Sequence, residues 1–534
     1  MLTHRPGKRN TPPLWHRFVY CLFIFSLCAS PDLLWAQEQR PNILIYIADD
    51  ISYPHLSAYG CSWVSSPGFD RVAKEGVLFH AAYTPNAKCA PSRACLLTGR
   101  NSWQLEAAVN HFPYFPAKFQ TFMEALRAHG YATGHTGKGW APGEPGTIDG
   151  VPRQLTGPAF QNLKLKPSTS GISSIDYAAN FEAFLQQKPD NQAFCFWYGS
   201  NEPHRSYEFE SGVKKGGKAL SDIPEVPGYW PDIDTVRHDM LDYAMEIEHA
   251  DSHFDKMLKT LESQGLLENT LIIALADHGM PFPRVKGQAY ESSNHIPLAI
   301  MWPGQLREAG RDCNYLVSII DLAPTILEAA GVSPASTRME AILGQSLVPL
   351  LTDPASEPLR EFVLVGKERH DIGRPNDWGY PIRGIQQDSL LYLYNFEPTR
   401  WPAGNPEAGY LNCDGSPLKS WLIVHYHDDA GSSYWQSNLG KRPTEELYDL
   451  RQDPDCLDNL ADAPAYGLLK EHLRLTMMNA LREEGDWRML GRGAEYEAFP
   501  YSGVRQNFYH RLMNHENPPF PAWVSERDVH VVEE

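Results

Sequence analysis

Three short stretches of this chain combine side chains that bind metals or move protons: Asp49-Asp50, Asn201-Glu202-Pro203-His204 and Asp277-His278-Gly279. Adjacent aspartates offer hard oxygen ligands to a cation, and an imidazole is a ligand or a proton carrier near neutral pH. A fourth stretch is of another kind: Cys89-Ala90-Pro91-Ser92-Arg93-Ala94-Cys95-Leu96-Leu97-Thr98-Gly99-Arg100. Pro91 and Ser92 suit the first turn of a helix. Cys89 then sits at the positive end of that helix, where anions are favoured.

The elements that must position these residues are readable around them. Residues 43–48 are an unbroken apolar run, the mark of a buried strand, and they stop at Asp49-Asp50. A second apolar strand at 193–199 ends just before His204, and a third at 270–276 runs into Asp277-His278. Between them lie helical patterns: a capping box of Thr121 and Glu124 closed by Gly130, a long apolar periodicity over 240–263 stopped by Gly265, and 321–330 ended by Gly331. Alternation of strand and helix from Pro41 predicts an α/β fold, with a parallel sheet covered on both faces. Ligands bind such sheets at the carboxyl ends of the strands. One polar residue after a strand is ordinary, but three strand ends carrying ligand or acid–base groups point to an active site. After about residue 355 short strands and Pro/Gly-rich loops replace the alternation, which predicts a smaller α+β domain over 356–534. In it, 446–450 reads as a strand, and a helix after Ala465 is expected to pack back on the core.

The stretch from Cys89 to Arg100 resembles the signature of the formylglycine-dependent type I sulfatases, Cys-x-Pro-Ser-Arg followed by Leu-Thr-Gly. The resemblance implies an alkaline phosphatase-like fold, a mixed, mostly parallel sheet sandwiched by helices, and a Cys89 oxidised to formylglycine by a maturation enzyme, with the hydrated aldehyde as nucleophile and Arg93 bonded to it. It implies that Asp49, Asp50, Asp277 and His278, with the modified Cys89, hold one calcium ion; a mostly oxygen shell suits that hard cation. It assigns Lys138 and Lys286 to the sulfate, His204 to protonation of the leaving atom, and Asp277 to activation of the nucleophile. Asp321-Leu322-Ala323-Pro324-Thr325 and Glu446-Leu447-Tyr448-Asp449-Leu450 are also sulfatase-like. Pro203-His204-Arg205, the run from Asp277 to Pro283, and Tyr380-Pro381-Ile382-Arg383 are similar to the heparan N-sulfatase (N-sulfoglucosamine sulfohydrolase) branch. The expected partner is therefore a sulfated carbohydrate. His370, Arg374, Tyr380 and Arg383, with Arg369, are expected contacts for a sugar bearing a carboxylate or a second sulfate, and Trp378 and Trp401 for stacking. One position departs from the family. Gly137-Lys138-Gly139-Trp140 stands where Gly-Lys-x-His is usual, so the base that breaks down the sulfated intermediate is missing; His135 and His111 are the candidates to replace it.

Bulk properties bound the rest. The chain has 534 residues, 47 basic and 65 acidic, for a net charge of −18. That balance argues against nucleic acid as a partner. Residues 1–36 read as an export signal: basic residues to Arg17, an apolar run over 18–29 too short to span a bilayer, and cleavage near Ala36. A periplasmic or extracellular protein without stable membrane insertion is expected, with the catalytic domain over 37–355. Beyond the signal seven cysteines remain, an odd number in a compartment that permits disulfides. Rival readings are an O-sulfatase on algal or mucin polysaccharide, a phosphonate monoester hydrolase or phosphodiesterase of the same superfamily, and a non-catalytic calcium-dependent glycan-binding relative.

Overall fold

Residues 42–48 are buried at every position, as an apolar run covered on both faces requires. Ile43, Ile45 and Ile47 point into one core and Leu44, Tyr46 and Ala48 into another. A computed structural model of the protein describes residues 40–534 apart from 523, 525, 531, 533 and 534. The expected export signal at 1–36 lies outside the described residues.

The strands in chain order begin with β1 (Asn42–Ala48), β2 (Val77–Tyr83) and β3 (Ala132–Gly137). A two-stranded ribbon follows, β4 (Thr147–Ile148) and β5 (Val151–Pro152). Next come β6 (Phe194–Gly199), β7 (Thr270–Ala276), β8 (His295–Met301), β9 (Arg311–Cys313) and β10 (Val317–Ser318). The large sheet has the order β10-β2-β8-β7-β1-β6-β3, with β9 beside β2. Its run β7-β1-β6-β3 is parallel, and β8 is antiparallel to both of its neighbours. This is the expected α/β architecture, a mixed and mostly parallel sheet between helices.

One face of the sheet is covered by helices Pro67–Glu75, Tyr177–Gln187 and Asp234–Ser263, and the other by Cys89–Thr98, Phe122–Ala128 and Leu322–Ala329. The capping box at Thr121 is present: its hydroxyl accepts from the Glu124 amide, and Glu124 accepts from the Thr121 amide. The long helix begins at Asp234, ahead of 240. Its first turns are mostly polar, so the apolar periodicity there is weak although Val236 is buried.

A second, antiparallel sheet takes its strands in sequence: β11 (Phe362–Lys367), β12 (Ile382–Gln387), β13 (Leu390–Asn395) and β14 (Glu445–Asp449). The helix after Ala465, Gly467–Glu483, does not pack on the main core as expected. Its Leu473, Met477 and Leu481 bury against Ile385, Tyr392 and Leu447 of this sheet, whose apolar face would otherwise be open. No described helix is long and apolar enough to cross a membrane. All seven described cysteines are free thiols.

Candidate active site

Register brings four strand ends together. Ala48 pairs with Ala276, and Gly199 lies opposite both Ile47 and Gly137. Asp49, Asp277, Ser200 and Lys138 therefore leave the sheet side by side, at the edge where a parallel sheet binds ligands. Asp50 turns into the left-handed region, φ +84°, which short polar side chains tolerate better than most. Its amide donates to Asp277 Oδ1 at 3.1 Å.

The helix Cys89–Thr98 runs away from this edge with every residue buried, and Gly99 ends it at φ +67°. Two of its side chains fix it to the strand ends. The Ser92 hydroxyl donates to the Asp277 carbonyl at 2.5 Å. Arg93 donates through Nε to Asp277 Oδ2 at 2.9 Å, through Nη2 to Asp49 Oδ1 at 3.3 Å, and through Nη1 to the carbonyls of Lys138 and Gly139. These contacts bind β1, β3 and β7 to one helix, so Arg93 holds the site in shape.

Cys89 Sγ lies 3.3 Å from His278 Nε2 and 4.0 Å from Asp50 Oδ1. Lys138 Nζ donates to Asp49 at 2.6 Å, and Lys286 Nζ donates to Asp50 at 2.6 Å. His278 Nε2 is 3.0 Å from Asp50 Oδ1. Burial and the Asp49 charge push the Cys89 thiol up, but Lys138 and Lys286 outweigh them and hold it well below its ordinary value. Burial likewise opposes charge on Asp49, where Lys138 and Arg93 prevail and lower it. Asp277 goes the other way: burial lifts it to about 6, against the pull of His278 and Arg93. The pocket thus favours negative charge at Cys89 and leaves Asp277 able to exchange a proton near neutral pH.

Ligand atoms of Asp49, Asp50, Cys89 and His278 all lie within 4.8 Å of one another. Two buried carboxylates, an imidazole and a third carboxylate close by fit a cation, and the oxygen-rich set favours a hard one.

Above this cluster lies a cavity of about 140 Å³. Cys89, Lys138, His204 and Lys286, all named from the sequence, line it. His204 Nδ1 is bonded to the Arg205 carbonyl at 2.6 Å, which leaves Nε2 to the cavity side. His111, one of the two histidines considered for the missing base, is also in the wall; the rest of the wall was not foreseen: Lys88, Phe112, Pro142, Asp371 and Asp414. Lys88 Nζ is 2.8 Å from Asp371 Oδ2, and Lys286 Nζ is 3.0 Å from Asp414 Oδ2. Burial works against the Asp371 charge, but Lys88 and then His111 hold that carboxyl well below the usual range. Lys88 was visible beside Cys89. Asp371 and Asp414 come from loops that follow β11 and β13, and no local pattern marks them.

The four expected sugar contacts are not brought to this cavity. Arg383 is wholly buried between Asp486 and Glu368, at 2.7 and 2.8 Å. Arg374 donates to the carbonyls of Trp401 and Pro402. Tyr380 belongs to the core under β12 and β13. His370 is buried against Asn86 Oδ1 at 2.6 Å, and its neighbour Asp371 reaches the cavity instead. Arg369 is also buried and donates to the Phe499 carbonyl. Trp401 packs on Tyr410 and Trp435, and the half-exposed Trp378 carries Arg400 over its ring. A cation or aromatic ring that a fold needs for its own interior looks, in sequence, like one that binds a sugar.

Trp140 is a core residue. Its indole N–H donates to the Ala90 carbonyl at 3.1 Å, and its ring meets Phe115 edge-on. Of the two histidines considered in its stead, His135 faces away and is bonded to the Gly157 carbonyl, whereas His111 lines the cavity.

Residues 41–332 match the family model described as Sulfatase. The chain is 27% identical over 500 residues to an ulvan-active sulfatase of Formosa agariphila, covering 84% of this chain and 76% of that one. It is also 27% identical over 483 residues to the human N-sulphoglucosamine sulphohydrolase, covering 84% and 91%. Among solved structures, one in complex with its substrate D-glucosamine-2-N,6-O-disulfate superposes with a TM-score of 0.57 at 20% identity, covering 84% of this chain and 98% of that one. The phosphonate monoester hydrolase of Agrobacterium radiobacter gives a TM-score of 0.57 at 19% identity, covering 83% and 96%. At such identities these two likenesses establish the fold alone.

Proposed function

This chain belongs to the sulfatase family, and from that membership we propose that it removes sulfate from a sulfated glycan, with N-sulfated glucosamine as the first substrate to try. The observation that carries the reading is the setting of Cys89: a buried thiol between Lys138 and Lys286, beside a cation-binding cluster, at the floor of a cavity. We propose further that Cys89 is the residue converted to formylglycine by a maturation enzyme, that the ion is a single calcium, and that the protein is exported to the periplasm or beyond. Residues 37–355 would form the catalytic domain and 356–534 the α+β domain that completes the cavity wall.

When present, the hydrated formylglycine supplies the attacking oxygen, and the ion, held by Asp49, Asp50, Asp277 and His278, supplies fixed positive charge for the sulfate. The other roles belong to this chain's own side chains. Lys138 and Lys286 are the ammonium groups beside Cys89, and they stabilise charge that grows on the sulfate oxygens. Asp277, held by Arg93 beside Cys89, is the carboxylate placed to accept a proton from the nucleophile. Arg93 keeps Asp277 and Asp49 in their orientations. His204 donates a proton from Nε2 to the leaving nitrogen or oxygen while Nδ1 stays on the Arg205 carbonyl.

The test is sulfate release by protein made together with a maturation enzyme. Glucosamine N-sulfate, ulvan oligosaccharides and an aryl phosphonate are compared. Sulfate release from either sugar at a rate well above phosphonate cleavage supports the proposal. Preference for the phosphonate would overturn it.

A further inference from the structure

The cavity has two ends of different chemistry. At one end Cys89, Lys138 and Lys286 form the place for a sulfate. At the other, Lys88, His111 and Asp371 make a connected row. His111 Nδ1 is 3.0 Å from Asp371 Oδ1, and Asp371 Oδ2 is 2.8 Å from Lys88 Nζ. All three are buried, His111 to 6% exposure. The His111 main chain is held too, since its amide donates to the Arg369 carbonyl at 2.9 Å.

Two features of this end point to a ligand. His111 Nε2 is buried and has no hydrogen-bond partner among the described residues, although its ring lines the cavity. A buried polar nitrogen without a partner is costly to leave that way. With Nδ1–H directed at Asp371, Nε2 is left as an acceptor. The second feature is charge. Lys138 and Lys286 both flank Cys89, whereas the row holds a single lysine, Lys88, set 2.8 Å from Asp371. A second anion beside His111 would have to approach the Asp371 carboxylate, with Lys88 as the one lysine of the cavity lining there.

We infer that His111, positioned by Asp371, accepts a hydrogen bond from a hydroxyl of the sugar ring that carries the sulfate, and that this end of the cavity selects a ring with one sulfate and neutral neighbouring groups against one bearing a carboxylate or a second sulfate. This inference rests on the sulfatase reading above. It replaces the expectation of a doubly anionic sugar held by arginines, since Arg374 and Arg383 are taken up inside the fold. Discrimination of this kind comes from acceptors that a hydroxyl satisfies and from carboxylates that an anion must approach.

The test uses full-length Cys89→Ala protein, which has no side-chain group to mature into a nucleophile, in calorimetric titrations with glucosamine N-sulfate, glucosamine 2-N,6-O-disulfate and a 2-O-sulfated uronic acid. The monosulfated sugar should bind at least about tenfold more tightly than the other two. Adding His111→Ala should weaken it by about tenfold, and His111→Gln, which keeps an acceptor, should recover part of that loss. Comparable or tighter binding of the disulfate or the uronate, or no effect of His111→Ala, would overturn the inference while leaving the sulfatase reading intact. Failure of all three sugars to bind, together with no sulfate release from any of them or from ulvan oligosaccharides by the matured wild type, would sink both.

Discussion

At Cys89 two lysines compete with two aspartates, and the lysines prevail. That balance explains why the site suits an anion although the whole chain carries −18. The neighbouring question is Trp140, which stands where family members carry a histidine. Its indole N–H bonds to the Ala90 carbonyl in the first turn of the Cys89 helix, so its work is to seat that helix. Trp140→Phe should keep the ring packing and lose one buried hydrogen bond, for a cost of about 1 kcal/mol. Thermal unfolding checks the cost, and kcat on the best sulfated sugar should stay within about threefold. A loss of a hundredfold or more with unchanged stability would assign Trp140 a part in the chemistry. Residues that sit in a continuous motif, Cys89 to Gly99, or directly after an apolar strand, were legible in sequence because their neighbours announce them. Asp371 and Asp414 were not, because each reaches the cavity from a loop with no periodic or capping signal.

The elements were legible to within a residue or two where burial on two faces or a cap sets the pattern. The strand at 270–276 and the Thr121 capping box are examples. The small sheet was harder, because its cations are interior. Arg383 on β12 joins Asp486 and Glu368 out of water, and Arg488 also reaches Glu368. Arg383→Ala should strand Asp486 as a buried charge and cost about 3 kcal/mol or more, seen as a lower Tm with the apparent KM of the remaining folded enzyme unchanged. A raised KM at unchanged Tm would restore Arg383 as a sugar contact. The long helix Asp234–Ser263 carries a second buried charge problem. Burial, then the Glu202 charge, lifts Glu246 from 4.5 to about 9. The folded chain therefore holds a proton between about pH 4.5 and 9 that the unfolded chain releases. Stability from this group is greatest at low pH and falls as pH rises through that window, by up to about 1.4 kcal/mol per unit. Glu246→Gln should match the wild type near pH 4 and become progressively more stable toward pH 9. Parallel Tm–pH curves for the two proteins would show that Glu246 is not held neutral in the fold.

At the scale of the whole molecule, the site is built from both ends of the chain. Residues 49–286 supply strand ends, the Cys89 helix and both lysines beside Cys89, and loops beyond β11 supply Asp371 and Asp414. Local charge makes this workable: although the chain is acidic overall, Lys88, Lys138 and Lys286 converge on one cavity. Cys89 is only 1% exposed, so on the proposed reading an enzyme that oxidises its side chain would act before the chain folds around it. The most direct measurement is the mass of the peptide containing Cys89 from protein produced with a competent maturation enzyme. The expected result is the mass of an aldehyde side chain in place of the thiol, in the same preparation that releases sulfate. An unmodified thiol in well-folded protein, beside a positive control that is modified, would contradict the assignment of Cys89 as the nucleophile's precursor.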